Sequence, residues 1–174
     1  MGSVLRCVLA VSACFGLGWS DATAQSTDED ALKALFIYKF TDYVTWPAHG
    51  ERFTICSTND DKVTGTLREI AARERVDARP LEITVINPEA GTAVNCDLLW
   101  VGQDGTTGLP RAIAGWGGDG VLVVSDRPDA ANKGAAIGLV TEAGRVRFEV
   151  DRPALRTSKL QASSQLLKLA RTVR

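Results

Sequence analysis

Arg6 is followed by an apolar run from Cys7 to Trp19 and then by the small-residue triplet Ala22, Thr23 and Ala24, the layout of a secretory signal peptide. That feature constrains the rest of the chain, because export delivers it to an oxidising compartment. The run is shorter than the roughly 20 apolar residues a helix needs to cross about 30 Å of hydrocarbon, so a membrane anchor is disfavoured. Cleavage is expected after Ala24, which makes residues 1–24 the signal and 25–174 the mature domain. A rival processing site is Cys14, preceded by Val11, Ser12 and Ala13 in a loose likeness of a lipoprotein signal. Against it stand the very short apolar stretch before Cys14 and the unusual tether that Phe15 to Trp19 would make.

Four cysteines are encoded, of which Cys7 and Cys14 lie in the signal, leaving Cys56 and Cys96. Two leftover cysteines in an oxidising compartment usually pair. A metal site lacks ligands, because His49 is the only histidine and no CxxC occurs. A redox-active dithiol lacks the short spacing that lowers a thiol pKa.

A mature chain of about 150 residues makes one ordinary domain. The signal removes Arg6 and Asp21 together, so the formal net charge of -1 is unchanged, and the 20 basic and 21 acidic residues are interspersed. No basic stripe exists to neutralise phosphates, so nucleic acid is not an expected partner. No later apolar stretch is long enough to span a bilayer, and there is neither a linker of low complexity nor an internal repeat.

The spacing predicts a helix from Asp28 to Trp46, opened by acidic residues and closed before Pro47. Leu32, Leu35, Phe36, Phe40, Tyr43 and Val44 form its inward stripe, and Ala34, Ile37 and Tyr38 widen the apolar surface almost all round. Strands are expected at Arg52 to Ser57, Leu81 to Ile86, Leu98 to Val101 and Val121 to Val124, with helices at Val63 to Arg73 and Leu109 to Trp116. The continuous apolar strands, Leu98 to Val101 and Val121 to Val124, suggest burial on both faces. Ala136 to Val140 and Val146 to Val150 form a hairpin through a short turn with Gly144. From Pro153 a last helix follows, its apolar positions supplied by Leu160, Leu166, Leu167, Leu169, Ala170 and Val173. The fold class is α/β: a single-domain sandwich of a mixed sheet with helices packed on it and a C-terminal hairpin plus helix.

No constellation of catalytic residues emerges. Gly115, Gly117 and Gly120 fit GxGxxG, but they precede a strand where a dinucleotide site follows one, so they are a turn. His49 has no nucleophile placed beside it, and Ser163 and Ser164 have no base. Asp28 with Asp30, and Asp60 with Asp61, sit where they would cap or begin helices. An enzyme is not expected, nor is a metal or cofactor. Trp46 and Trp116 lie at helix ends, as buried aromatics or as interface anchors. Ile37 and Tyr38 lie off the inward stripe and are the candidates for an outward, partner-binding face.

The segment Leu32-Lys33-Ala34 to Phe36-Ile37-Tyr38-Lys39-Phe40, with Tyr43-Val44 and Trp46-Pro47, resembles the opening of YfiR-type proteins. Arg147-Phe148-Glu149-Val150-Asp151, then Leu160-Gln161-Ala162-Ser163-Ser164-Gln165-Leu166-Leu167-Lys168-Leu169-Ala170, resembles that family's closing strand, turn and helix. Between them Cys56, Cys96-Asp97, Val121 to Asp126 and Gly134 to Ile137 fall in the family's order. Two departures stand out: the glycine-rich turn is thinner, with Ala135 and Ala136 after Gly134, and no cysteines exist for the second disulfide found in some relatives. The resemblance implies a periplasmic protein that binds the sensor domain of an inner-membrane diguanylate cyclase and holds it inactive, lowering cyclic-di-GMP and biofilm formation. A homodimer is compatible with it. The alternative is a small-ligand receptor domain that reports to a membrane signalling protein; a structural envelope protein is a third reading.

Overall fold

The computed structural model describes residues 22–47, 50–87 and 95–174. Most of the expected signal segment, with Cys7 and Cys14, lies outside the described residues, as does His49. The chain runs α1 (Ala22–Phe40), β1 (Val44–Thr45), β2 (Phe53–Ser57), α2 (Lys62–Ala71), β3 (Arg75–Val76), β4 (Arg79–Val85), β5 (Leu98–Val101), α3 (Leu109–Trp116) and β6 (Leu122–Ser125). A 3-10 turn (Ala130–Lys133) then leads to β7 (Ile137–Glu142), β8 (Arg145–Val150), α4 (Arg152–Thr157), β9 (Gln161–Ala162), α5 (Ser164–Leu169) and β10 (Thr172–Val173).

Eight strands form one mixed sheet in the order β10-β8-β7-β6-β5-β2-β4-β3. β4, β2, β5, β6 and β7 are mutually parallel, β8 and β3 run against their neighbours β7 and β4, and β10 is parallel to β8. The parallel strands thus stand in the order second, first, third, fourth, fifth, as in doubly wound sheets whose direction of winding reverses between the first and third.

Alternation along the central strands divides the core into two layers. Leu98, Trp100, Leu122 and Val124 join Ala34, Ile37 and Phe40 of α1 and Val63 and Leu67 of α2 on one face. Leu99, Val101 and Val123 join Leu109 and Ala112 of α3 and Ala130 of the 3-10 turn on the other. Both faces of β5 and β6 are therefore covered, which is why their sequences are apolar without a break.

Local chemistry sets the element ends. Asp61 caps α2 by accepting from the Thr64 amide, at 2.7 Å. Ala143 and Gly144 adopt φ of 48° and 72° in the β7–β8 turn, and Asp77 and Ala78 adopt 49° and 64° between β3 and β4. Paired positive φ values give turns whose twist matches a tight hairpin. Gly117 closes α3 by donating to the Ile113 carbonyl, and a Cβ there would lie 2.6 Å from that oxygen. The glycine pattern is thus a turn leading into β6.

Three expectations are corrected. α1 begins at Ala22 and stops at Phe40, not at Trp46. Thr41 donates its hydroxyl to the Tyr38 carbonyl at 2.6 Å, the next amides close three-residue turns, and Val44 and Thr45 pair with Ala162 and Gln161 as strand. β-branched residues and a competing hydroxyl favour that exit over continued helix. Because α1 starts earlier, Asp30 lies within the helix and caps nothing, and burial pushes its carboxyl up from the ordinary value.

The last helix is also broken. α4 ends at Thr157, Lys159 takes a φ of 56°, β9 follows, and Ser163 starts a separate α5 by accepting from the Leu166 amide at 3.1 Å. Val173, expected on the helix, lies in β10 beside Val150. Ser163, expected within a helical stretch running on from Pro153, is instead the start of a separate helix, the position a serine hydroxyl favours.

The third correction concerns which face of α1 is inside. Ile37 is 0% and Tyr38 7% exposed, whereas Leu32 and Leu35 are 39% and 45% exposed. Two polar contacts orient the helix. Lys33 Nζ lies 2.9 Å from both Glu29 and Asp126, pinning α1 over the end of β6, and Tyr38 donates its hydroxyl to Glu74 at 3.1 Å beyond α2. Phe36 and Phe40 meet Phe148 of β8 at ring distances of 5.9 and 5.2 Å.

Ile37→Asp should cost about 4 kcal/mol or more, since it buries an unpaired charge in the layer between α1 and the sheet, and Leu35→Asp about 1 kcal/mol or less. Urea unfolding followed by circular dichroism separates them; equal losses would mean that the helix faces are assigned wrongly.

The Lys33 pin has a pH signature. Burial presses the ammonium down, but its bonds to Glu29 and Asp126 outweigh that and hold it above its ordinary 10.5. Its bond to Lys33 holds Glu29 below 4.5, against a smaller upward push from burial. The raised lysine stabilises the fold at pH below 10.5, and this is lost as pH rises through the higher folded value. The lowered glutamate stabilises at pH above 4.5, and this is lost as pH falls through its folded value. Lys33→Met should cost about 3 kcal/mol at neutral pH by leaving the Asp126 carboxylate buried without its cation. The gap from wild type should stay level between these limits and shrink below the acid one; a gap that grows on acidification would contradict it.

Candidate functional site

Cys56 in β2 and Cys96 ahead of β5 form a disulfide with a Cα separation of 5.7 Å across 40 positions of sequence. The bridge lies at the amino end of β5, where Asp97 gathers four elements. The Asp97 amide donates to the Thr54 carbonyl at 2.9 Å, its carboxylate accepts the Thr54 amide at 2.7 Å, and its carbonyl accepts from Leu122 at 2.9 Å and from the Trp46 indole at 3.0 Å. Arg79 at the start of β4 brings its guanidinium within 3.8 Å of the same carboxylate and 5.1 Å of the Phe53 ring centre.

Two of the residues singled out in the sequence meet around this point. Trp46 is half-buried, set edge-on to Phe53 at 5.1 Å and held by its bond to Asp97. Trp116, half-buried at the end of α3, packs with Cys96 and Ile113 against the second layer. A polar cavity of about 630 Å³ opens here, lined by Trp116, Cys96, Asp97, Thr54, Arg52 and neighbouring residues. Ile37 and Tyr38 do not reach it. They are in the core under α1, so their expected outward placement is corrected.

At the opposite end of the sheet, the carboxyl ends of β2, β5 and β6 surround a second cavity of about 580 Å³, where the winding reverses. Lys33, Asp60, Asp61, Gln103, Asp104 and Asp126 are among its lining residues. Trp100 donates its indole N–H to Asp61 at 3.3 Å, and the Gln103 amide donates to Asp126 at 2.7 Å. Asp61 serves α2 as a cap and Asp126 holds Lys33, so these carboxylates are bound to the fold. Among the described residues no three of histidine, cysteine, aspartate and glutamate converge to hold a metal ion.

The accessible apolar residues lie elsewhere: Leu32 and Leu35 on α1, Val85 at the end of β4, Leu169 on α5 at 63% exposure, and Val173 in β10. Sequence reasoning assigned the α1 pair to the core because each is spaced correctly for a stripe with Phe36 and Phe40. The signal that points the other way is Lys33, a charged residue whose place on the inward side becomes evident once Asp126 is seen opposite.

The model of the YfiR/HmsC-like family matches residues 30–171, from α1 to the residue before β10. No curated protein matches the sequence. Among solved structures, a conserved domain protein from Vibrio cholerae O1 biovar El Tor strain N16961 is similar, with a TM-score of 0.55 and 10% identity over 83% of this chain and 60% of that one. The chain thus spans about three fifths of that protein's length, and at such identity the likeness concerns the fold. A family match running through the helices, the sheet and the disulfide leaves one assignment: this chain belongs to the YfiR/HmsC-like family.

Proposed function

We propose that this chain is an exported, periplasmic regulator that binds the sensor domain of an inner-membrane diguanylate cyclase and represses it, with no catalysis of its own. The observation that carries this reading is the family match across residues 30–171. The Cys56–Cys96 bridge fits an oxidising compartment. Repression of this kind needs only that the chain bind the inactive sensor better than the active one, since differential affinity is what shifts an equilibrium.

The contact is assigned to exposed apolar side chains on α1 and α5, chiefly Leu32, Leu35 and Leu169. Trp116 is the aromatic anchor at the disulfide end, half-buried and beside an open cavity. Trp46 has its indole N–H committed to Asp97 and serves the fold first. The cavity at the carboxyl ends of β2 and β5 favours a second reading, a small-ligand receptor domain, because open α/β sheets bind ligands where their winding reverses. Stabilisation of the purified protein by small molecules from a periplasmic extract, lost on Lys33→Met, would favour the receptor.

Co-expression with the membrane diguanylate cyclase of the same organism, read through a cyclic-di-GMP reporter, tests the repressor reading. The unaltered chain should lower the signal, and Leu35→Asp or Leu169→Asp should restore it by several-fold while circular dichroism stays native. Well-folded variants of both sites that repress fully would sink the assigned contact; an unaltered chain with no effect on the cyclase would sink the repressor.

A further inference from the structure

The charges that are interspersed over the whole sequence separate at the β7–β8 turn. From Arg145 to Arg174 the chain carries eight lysines and arginines against two acids, whereas residues 25–144 carry eleven against eighteen. No single stretch of sequence is a basic stripe, but the fold assembles one along the β8–β10 edge of the sheet. Arg145 and Arg147 alternate with buried Val146 and Phe148, so both stand exposed on the same face of β8. Glu149 follows them on that face, and Glu142 lies across from Arg145 on β7. Both glutamates are already matched: Arg171 lies 3.1 Å from Glu149 and 2.9 Å from Glu142, and Arg174 lies 3.3 Å from Glu149. Arg145 and Arg147 thus have no ion pair among the described residues, and neither have Arg152 and Arg156 of α4. The Arg152 amide donates to the Arg174 carbonyl at 3.1 Å, which sets the start of α4 beside the end of β10. Val173 of β10, flanked in sequence by Arg171 and Arg174, is 39% exposed.

We propose that this edge docks the domain on an anionic phospholipid surface. The proposal goes beyond the regulator reading and rests on its export, since the bilayer that carries the sensor is the surface within reach. Unpaired guanidinium groups recognise phosphate headgroups by charge and hydrogen bonds, and an exposed valine beside them can enter the headgroup layer. A lipid surface suits this edge better than an acidic protein does. The arginines are spread over β8, α4 and the flanks of β10, along about 17 Å of strand, and a laterally uniform surface meets them all without a matching register. The acidic residues Asp30, Asp60, Asp61, Asp104 and Asp126 gather instead at the carboxyl ends of β2, β5 and β6, so charge is divided across the sheet. A nearly neutral molecule divided in this way is oriented by an anionic surface, with its basic edge towards it. The contact is peripheral; among the described residues no helix is long and apolar enough to cross a membrane.

Flotation of the chain purified from the periplasm tests this, with vesicles of phosphatidylglycerol and phosphatidylcholine against vesicles of phosphatidylcholine alone. The expected result is binding to the anionic vesicles only, weakening as salt is raised. Arg145→Gln with Arg147→Gln should weaken it by about 25-fold, about fivefold for each arginine near the surface, while circular dichroism stays native. Arg73→Gln with Arg111→Gln changes the net charge equally, at exposed positions after α2 and in α3, and should bind as the unaltered chain does. No binding to anionic vesicles, equal binding to neutral ones, or equal loss in both double variants would each overturn the proposal. Binding of this edge to the purified sensor domain in place of vesicles would overturn it too, assigning the edge to an acidic protein surface. The vesicles hold no cyclase, so a chain that binds them and leaves the cyclase active would sink the repressor and support the lipid contact.

Discussion

The carboxylate of Asp97 takes the Thr54 amide of β2 while its main chain joins β5 to β6 and receives the Trp46 indole. A buried carboxylate is costly unless its lone pairs are met, so β2, β5, β6 and the segment after α1 are fixed relative to one another by one residue. Arg79 draws β4 into the same arrangement. Its Nη1 is buried without a hydrogen bond, and the nearby carboxylate and the Phe53 ring face offset that loss electrostatically. Cys96, the adjacent residue, makes the same junction covalent. On the chain-entropy model, closing a loop of this size stabilises by roughly 4 kcal/mol.

This junction accounts for the polar bonding at the amino end of the sheet, where Trp46 is held and Trp116 lines a cavity. The Asp97 carboxylate, its main chain and the Trp46 indole are each committed to bonds that they cannot release without loosening the strands they join. Leu32, Leu35 and Leu169, three of the five exposed large apolar residues among those described, lie instead on α1 and α5, elements that rest on the first layer and do not contribute strands to it. A contact on such surface can be made and lost without opening the sheet.

The sequence carried the central strands openly, because burial on both faces leaves an unbroken apolar run at Leu98 to Val101 and again at Leu122 to Val124. The β7–β8 turn at Ala143 and Gly144 and the cysteine pair were legible for equally local reasons. The inward face of α1 was not. Its apolar residues surround most of the helix, and the choice between Leu35 and Ile37 is made by Asp126 and Glu74, far away in sequence. The two-residue strands β1 and β9 were hidden for the same reason, since each exists only because the other lies beside it. Ser163 is the instructive case: its preference for a helix start was present locally, but the leucine spacing on either side suggested one continuous helix.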